Sequence, residues 1–266
     1  MSRLVRSGLA FVRTTLGWLT EWLGELISPR LCPGCDEPVG PRRCMCAPCS
    51  SELEAASDAE AGLAAFVYGG PIRAAVHKLK YGKRPDLAVS LGALLVEALE
   101  ERVERCDVVI PVPLHPLRLV TRGYNQAALL AVPLARALRA PLSVRLLERR
   151  SFVAAQARLN REARDLNVKE AFVALPRGDV RGKHVVLVDD VVTTGSTFAA
   201  CSAALLRAGA RRVTCVALAR AERRLLTASA ADGEARDQRD VVAEATEVSR
   251  LAEGVGALEV QPANRR

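Results

Sequence analysis

One thirteen-residue segment, Val185–Thr197, limits what this chain can fold into more than any other part of it. It begins with the apolar run Val185–Val188, which the adjacent carboxylates Asp189 and Asp190 follow directly. Such an uninterrupted run is typical of a strand buried in a parallel sheet that is covered on both faces. The two acids would then lie at the C-terminal end of that strand, where open α/β sheets bind their ligands.

A short turn and a helix follow the acids. The turn contains two valines, hydroxyl residues and a glycine: Val191, Val192, Thr193, Thr194, Gly195, Ser196 and Thr197. Backbone N–H groups at a helix N-terminus can bind a phosphate, and carboxylates accept hydrogen bonds from sugar hydroxyls. The segment therefore suits a phosphorylated ribose. An ordinary capped strand–turn–helix is the alternative, but it leaves the paired acids unexplained. No Gly-Lys-Ser/Thr follows Gly195, which excludes a P-loop.

Strand and helix patterns alternate through residues 63–220, which we expect to form the main domain. Besides the strand just described, the predicted strands are 64–68, 107–111, 142–146, 171–175 and 212–218. The predicted helices are 71–81, 86–105, 125–138 and 198–209. This alternation predicts an α/β fold with a parallel, doubly wound sheet flanked by helices.

Five of the eight cysteines lie within residues 30–50, a region also rich in Pro and Gly. Cys32 with Cys35 and Cys46 with Cys49 form two Cys-x-x-Cys pairs, which can present four thiolates tetrahedrally to one Zn²⁺. Cys44 could replace Cys46, but Cys46 restores the second pair. A Cys₄ site has no open position, so its role would be structural. A redox pair and a metal-free remnant are the alternatives.

The two ends of the chain differ in composition from its centre. Apolar residues recur at helical spacing in residues 1–29, which predicts an amphipathic helix. That helix could pack on its own protein, on a twin helix, or on a membrane surface, since both tryptophans lie in it. Residues 221–266 are rich in Ala, Glu, Asp and Arg, and we expect a disordered tail.

The chain is basic, with 38 Lys and Arg residues against 30 Asp and Glu, and a net charge of +8. Most of the basic residues are Arg, which suits bidentate phosphate binding, but the excess does not separate a diphosphate from nucleic acid. No secretory signal or bilayer-length apolar stretch is evident, so we expect a cytoplasmic protein without a transmembrane segment. The inner membrane face is an alternative location. Aromatic residues make up 4% of the chain, which argues against a base-stacking platform.

A second region that could bind an anion follows the predicted strand 107–111. Its prolines lead into a basic loop and then into the helix predicted from Asn125. Arg118 and Arg122, with nearby backbone N–H groups, could hold a diphosphate. His115 could carry a proton, contact a phosphate, or be an ordinary loop histidine.

A third basic region lies between residues 149 and 168. On a helix, Arg158, Arg161 and Arg164 would share one face, because they are three residues apart. Gln156, Arg158 and Arg161 are candidates for a hood that closes over an anionic substrate. A solvated charged face is the alternative.

The segment Val185–Thr197 resembles the 5-phosphoribosyl-1-diphosphate (PRPP) signature of type I phosphoribosyltransferases. Along the chain, the cysteine pairs come first, and Lys78–Tyr81, Pro111–His115 and Arg122–Gln126 follow them in that order. That order resembles the ComF/GntX family, whose members are phosphoribosyltransferase-like and linked to natural competence and DNA use. The extra Cys44 and the long tail depart from the usual pattern.

The resemblance implies a type I phosphoribosyltransferase-like fold that binds PRPP together with Mg²⁺. Asp189 and Asp190 would bind the ribose hydroxyls, and residues 193–197 the 5′-phosphate. The implied reaction transfers the 5-phosphoribosyl group to a nitrogen nucleophile and releases diphosphate. The sequence identifies neither the acceptor nor the base that activates it.

A non-catalytic role is the alternative to enzyme activity. The chain could be a competence adaptor that binds single-stranded DNA or proteins of the competence machinery and uses the PRPP pocket as a sensor. A homo-oligomer is compatible with either hypothesis.

Overall fold

The computed structural model describes residues 30–40, 43–57, 59, 61–149, 172–175 and 180–221. The sequence predictions for the helix of residues 1–29, the hood residues Gln156, Arg158 and Arg161, and the tail from residue 222 lie outside these ranges. Within them, no helix is both long enough and apolar enough to cross a membrane.

The described residues form strands and helices in alternation. The strands are β1 (Leu63–Val67), β2 (Val108–Pro111), β3 (Leu147–Arg149), β4 (Phe172–Ala174), β5 (His184–Val192) and β6 (Arg212–Arg220). The helices are α1 (Ala47–Ser51), α2 (Gly70–Tyr81), α3 (Leu87–Leu99), α4 (Pro116–Arg122), α5 (Gln126–Ala137) and α6 (Ser196–Arg207), with a 3₁₀ turn at Glu100–Arg102.

Four strands form a sheet in the order β1-β6-β5-β2, and every neighbouring pair is parallel. The apolar run of β5 lies in the middle of this sheet and is buried. The predicted parallel sheet flanked by helices is therefore confirmed. A separate antiparallel pair joins β3 to β4.

Successive side chains of β5 point to opposite faces of the sheet, and the core accordingly has two layers, one on each face. Val186 and Val188 of β5 pack in one cluster with buried residues of α2, α3 and α5. Val185 and Leu187 face the other way and pack with α6 and the β3–β4 pair. Successive side chains of a strand point to opposite faces, so a strand buried on both sides must be apolar throughout.

The chain segments that follow β2 and β5, which are neighbours in the sheet, run to opposite faces of it. The chain leaves β2 towards α5 on one face, and it leaves β5 towards α6 on the other. The strand order thus reverses at this point, and open α/β sheets bind ligands outside the carboxyl ends of the strands at such a switch point.

Two sequence predictions about this region were wrong. A strand was expected at residues 142–146, but Leu142 makes only an isolated bridge to Val109, and the strand starts later, at β3. The basic stretch after β2 was expected to be a loop, but it contains α4. Pro116 in its first turn and Gly123 just after its end are a usual pair of helix boundary signals.

Candidate functional site

A crevice opens where β2 ends and β5 continues. Pro111 at the end of β2 is in register with Val188, and the next residue, Val112, donates a hydrogen bond from its N–H to the Val188 carbonyl at 2.8 Å. β5 runs on to Val192, in register with Arg220 of β6. Asp189 and Asp190 therefore lie just past the end of β2, next to the loop that leads into α4.

The two acids lie on one strand but face different layers. Because Val186 and Val188 face α2, alternation directs Asp190 to that side, and it directs Asp189 to the side of α6. Asp190 is buried, and its backbone N–H donates to Asp189 Oδ1 at 2.8 Å. The pair thus presents carboxylate oxygens to both sides of the crevice.

Lys80, in the last turn of α2, is the counter-ion of this pair. Its Nζ lies 3.2 Å from Asp190 Oδ2. Burial alone would lower the pKa of Lys80, but the carboxylates of Asp190 and Asp189 outweigh it and raise that pKa. Lys80 is therefore charged. Sequence reasoning gave it no role, although its place in the helix after β1 was a usable signal.

Among the described residues no cation forms such an ion pair with Asp189, and its ionisation is correspondingly unfavourable. Burial and the negative charge of Asp190 raise the pKa of Asp189 to about 7, while the Asp190 N–H and Lys80 oppose the increase. The acid pair therefore takes up a proton close to neutral pH. Such a perturbed carboxyl group at a crevice is a mark of a functional site.

The turn after the acids presents hydroxyl groups to solvent. Thr193, Thr194 and Ser196 are exposed, and Thr194 Oγ1 donates to Ser196 Oγ at 3.1 Å. Gly195, the N-cap of α6, has no side chain that could cap the helix, and the Thr194 hydroxyl accepts from the Ser196 N–H at 3.4 Å. These exposed groups lie at a helix N-terminus, where an anion can bind.

Gly195 has a left-handed backbone, with φ of +77°. A Cβ at this position would lie 2.7 Å from Ala61 Cβ. Both the backbone angle and the close approach of residue 61 therefore require glycine here.

Basic side chains lie on the other side of the crevice, around α4. His115 caps this helix, and its Nδ1 accepts a bond from the Leu117 N–H at 3.3 Å. Burial lowers the pKa of His115, and the charges of Arg149 and Arg118 lower it further. The predicted candidate Arg122 stacks on Tyr81 of α2, with its guanidinium carbon 5.0 Å from the ring centre.

Arg149 is a basic residue that sequence reasoning did not select. It lies at the end of β3, above the ring of Phe172 at 5.5 Å. Burial and the charge of Arg118 lower its pKa. The charges of Arg118 and Arg149 both act on His115, and the charge of Arg118 acts on Arg149, so the fold brings two arginines together here, as an anion site requires.

The loop before α5 is fixed to the sheet and to α2. Asn125 caps α5 by accepting from the Ala128 N–H, and its Nδ2 donates to the Val112 carbonyl at 3.0 Å. Tyr124 donates its hydroxyl to the Leu79 carbonyl at 2.6 Å. These bonds hold the loop against the crevice.

The second candidate site is a cysteine cluster at the N-terminal side of the described chain. One sulfur each from Cys32, Cys35, Cys46 and Cys49 lies within 4.8 Å of the other three. Tetrahedral zinc with Zn–S bonds of about 2.3 Å separates its sulfurs by roughly 3.8 Å. Cys35 Sγ lies 3.5 Å from Cys46 Sγ, so the cluster fits such an ion. Cys44 does not belong to this group.

The thiols differ in how readily they ionise. Burial would raise the pKa of Cys32, but backbone N–H groups, first that of Cys46, lower it to about 7. Burial and the neighbouring sulfurs raise the pKa of Cys49. Four thiolates this close need a cation to neutralise them, so metal binding must release protons.

Comparison with known proteins finds relatives over much of the chain. The model of the phosphoribosyl transferase domain matches residues 125–247. DNA utilization protein YhgH of Escherichia coli (strain K12) is 36% identical over 189 residues, which are 69% of this chain and 81% of that protein. Competence protein F of Haemophilus influenzae is 32% identical over 160 residues, 58% of this chain and 70% of that protein.

Comparison with solved structures gives matches over about half of the chain. Glutamine PRPP amidotransferase from B. subtilis is 26% identical, with a TM-score of 0.39, over 53% of this chain and 30% of that one. Purine phosphoribosyltransferase from Pyrococcus horikoshii is 20% identical, with a TM-score of 0.33, over 53% of this chain and 93% of that one. The sequence relatives, the domain match and the cysteine cluster carry the assignment. The chain belongs to the ComF/GntX family of phosphoribosyltransferase-like proteins.

Proposed function

We propose that the crevice binds PRPP and that the protein transfers its 5-phosphoribosyl group to a nitrogen nucleophile. One observation carries the proposal: a pair of acids and a hydroxyl-rich helix N-terminus lie together at the switch point of the sheet. Asp189 and Asp190 accept hydrogen bonds from the ribose hydroxyls. Residues 193–197 bind the 5′-phosphate with hydroxyl and backbone N–H groups.

The basic groups around α4 bind the diphosphate. Arg118 and Arg149 supply the positive charge, and His115, whose pKa burial and these two charges lower, adds a neutral ring that can donate a hydrogen bond to phosphate. Arg122, which stacks on Tyr81, extends the same side of the crevice. Charge-assisted hydrogen bonds to phosphate are about twice as strong as neutral ones. The gathered side chains therefore stabilise the charge that the leaving diphosphate acquires.

In the reaction, the nitrogen lone pair forms a bond to C1 of the ribose as the C1–oxygen bond to diphosphate breaks. The bonding electrons leave with the diphosphate, and the nucleophile loses a proton to solvent or to a base. The protein's own groups position the two reactants and compensate charge. Carboxylate and diphosphate oxygens are ligands that Mg²⁺ prefers, and a bound Mg²⁺ would neutralise part of the diphosphate charge.

A panel of nitrogenous bases and amines, assayed with PRPP and Mg²⁺ for diphosphate release, tests this proposal. We expect release with at least one acceptor, and a loss of about 100-fold or more in Asp190→Asn, comparable to removing one preorganised electrostatic group. The matched control is Glu104→Gln, because Glu104 is also a carboxylate in an ion pair, here with Arg212, but it lies near the amino ends of β2 and β6, away from the acids. Full PRPP affinity in Asp190→Asn would contradict the proposed site.

The names of the relatives favour a second candidate, a competence adaptor that binds single-stranded DNA and uses PRPP as a signal. The basic side chains around α4 could then contact phosphates of DNA. This alternative predicts PRPP binding without turnover and a DNA affinity that falls steeply with salt. Diphosphate release with an acceptor, and no gel shift with DNA, would reject it.

We also propose that the cysteine cluster holds one structural Zn²⁺, which requires a reducing compartment such as the cytoplasm. Purified Cys46→Ser should contain less than half of the zinc of the unaltered protein. Cys44→Ser is the control, because Cys44 lies outside the sulfur group, and it should retain its zinc. Equal zinc contents in the two variants would contradict this ligand set.

A further inference from the structure

The last turn of α2 contacts both candidate sites. Lys78 and Lys80 are two residues apart, so on a helix with about 100° per residue they point to nearly opposite sides. Lys78 Nζ donates to the Gly34 carbonyl at 3.0 Å and forms an ion pair with Asp36. Lys80 forms the ion pair with Asp190. One helical turn thus joins the cysteine cluster to the acids of the crevice.

The contacts on the cysteine side fall on one tight turn. Gly34 lies between Cys32 and Cys35 in sequence, and a Cβ there would lie 2.9 Å from Cys49 Sγ. Asp36 follows Cys35 and also forms an ion pair with Arg84, just after α2, with 3.6 Å between Arg84 Nη1 and Asp36 Oδ1. A metal ion bound by the sulfurs fixes the two groups that hold Lys78.

Two further contacts of the same helical turn are with residues on the basic side of the crevice. The carbonyl of Leu79 accepts from the Tyr124 hydroxyl, and Tyr81 lies under the Arg122 guanidinium. Four successive residues of α2 therefore contact the cluster, the Tyr124 loop, the acid pair and Arg122 in turn. Any displacement of this turn moves the counter-ion of the acids.

We infer that the turn Lys78–Tyr81 couples the two sites, so that zinc bound at the cysteines strengthens PRPP binding; this inference rests on the proposed function. Lys80 holds Asp190 in an ion pair, with 3.2 Å between Nζ and Oδ2, and its charge also opposes the protonation of Asp189. When the turn Cys32–Asp36 loses its metal, the groups that bind Lys78 are no longer held in place. Lys80, in the same helical turn, is then no longer fixed in position. The carboxylates then accept less well from the ribose hydroxyls. Lys78 is a positioning residue, since it acts through Lys80.

Coupling between two binding sites is reciprocal. PRPP should therefore make the protein retain zinc more tightly against a competing chelator, by the same factor that zinc gives to PRPP affinity. Typical coupling between sites changes affinity by about 5- to 150-fold, and we expect a change of at least about fivefold.

The test measures PRPP affinity by calorimetry in Mg²⁺, with zinc-loaded and zinc-stripped protein and with zinc-loaded Lys78→Gln. We expect weaker binding of at least about fivefold on stripping and a comparable weakening in Lys78→Gln, whose zinc content stays full. Removing zinc from Lys78→Gln should change its affinity little further. Lys83→Gln is the control, since Lys83 has an exposed side chain two residues after α2.

The outcomes separate this inference from the proposed function. No PRPP binding by the zinc-loaded protein would overturn both. Equal affinities with and without zinc, or an unaltered affinity in Lys78→Gln, would overturn the coupling and leave PRPP binding intact. If stripping removes the helical circular dichroism signal, the zinc-loaded Lys78→Gln comparison decides alone.

Discussion

At the scale of single residues, the raised pKa of Asp189 has a direct consequence for ligand binding. The carboxyl group accepts from ribose hydroxyls best when it is ionised, and it ionises only above about pH 7. Its folded pKa lies above the ordinary value, so the binding-competent form is present at high pH and lost as the pH falls. PRPP affinity should therefore increase roughly tenfold from pH 6 to pH 8.

Asp189→Asn separates this effect from the titration of PRPP itself. The variant cannot ionise at position 189, so only the phosphates of the ligand should contribute to its pH dependence. Calorimetric titrations at several pH values with saturating Mg²⁺ check this. Identical pH profiles in the two proteins would show that Asp189 does not control binding.

Gly195 makes a residue-scale prediction about stability. Gly195→Ala places a side chain on a left-handed backbone and 2.7 Å from Ala61 Cβ. Gly123 has a similar φ of +79° but has no atom within 4 Å of an added Cβ, so Gly123→Ala should cost only the backbone term of about 1–2 kcal/mol. Gly195→Ala should cost at least about 1 kcal/mol more in the free energy of unfolding, from overpacking.

Urea unfolding of the two variants measures the difference. The additional variant Ala61→Gly, combined with Gly195→Ala, should recover most of the extra cost because it removes the neighbouring Cβ. Equal costs at positions 195 and 123 would mean that the loop can move away from residue 61.

The residue scale also shows where sequence reasoning was sufficient. The acids and the turn after them are consecutive in sequence, so local patterns predicted where they would lie. Lys80 and Arg149 reach the crevice only through the packing of α2 and of the β3–β4 pair. Nothing in their immediate neighbours in the sequence indicates these contacts, because the partners are far away along the chain.

At the scale of elements, α3 and α5 approach each other at Gly92. A Cβ at Gly92 would lie 2.3 Å from Pro133 Cγ, so no larger side chain fits without a shift. Glycine to alanine inside a helix normally stabilises by about 1 kcal/mol. Here the change in the free energy of unfolding should have the opposite sign, and Gly92→Ala should destabilise the protein by about 1–3 kcal/mol.

A double-mutant cycle tests this reversal. In a Pro133→Ala background the ring is gone, so Gly92→Ala should be neutral or stabilising there. Thermal or urea unfolding of the four proteins gives the coupling energy. The same negative effect in both backgrounds would assign the cost of Gly92→Ala to something other than the Pro133 ring.

Predicting elements from the sequence was most successful where the apolar period was long. The patterns for β5 and α5 were clear because each runs through many buried positions. The strand expected at 142–146 fails because Val144 is exposed and the segment pairs with β2 at Val109 alone, through hydrogen bonds of Pro141 and Ser143. Helix α4 buries no residue, so it left no apolar period, and only its boundary residues could have revealed it.

At the scale of the whole molecule, the cysteine cluster and the sheet belong to one core. Cys32, Met45 and Cys49 pack in the same cluster as residues of α2, α3 and β5. Metal at 1,000 times its Kd stabilises a protein by about 4 kcal/mol. Removing zinc should therefore lower the Tm of the domain as a whole, by about 10 °C for a domain of this size.

Differential scanning calorimetry distinguishes this from a separate metal module. One transition that moves to lower temperature on zinc removal is the expected result, and the chelator should leave the transition of Cys46→Ser unchanged. Two transitions, of which only the smaller responds to zinc, would show that the cysteine region unfolds on its own.

The opposite orientation of Asp189 and Asp190 bears on how related chains can diverge. A substitution in α6 changes the surroundings of Asp189 but lies across the sheet from Lys80. A substitution in α2 changes the surroundings of Asp190 and leaves the α6 layer untouched. Side chains on either side of the sheet can therefore be replaced without contacting the other acid, although the charges of Asp190 and Lys80 still act on Asp189. Homologues with a remodelled α6 layer should still pair a lysine with the second acid.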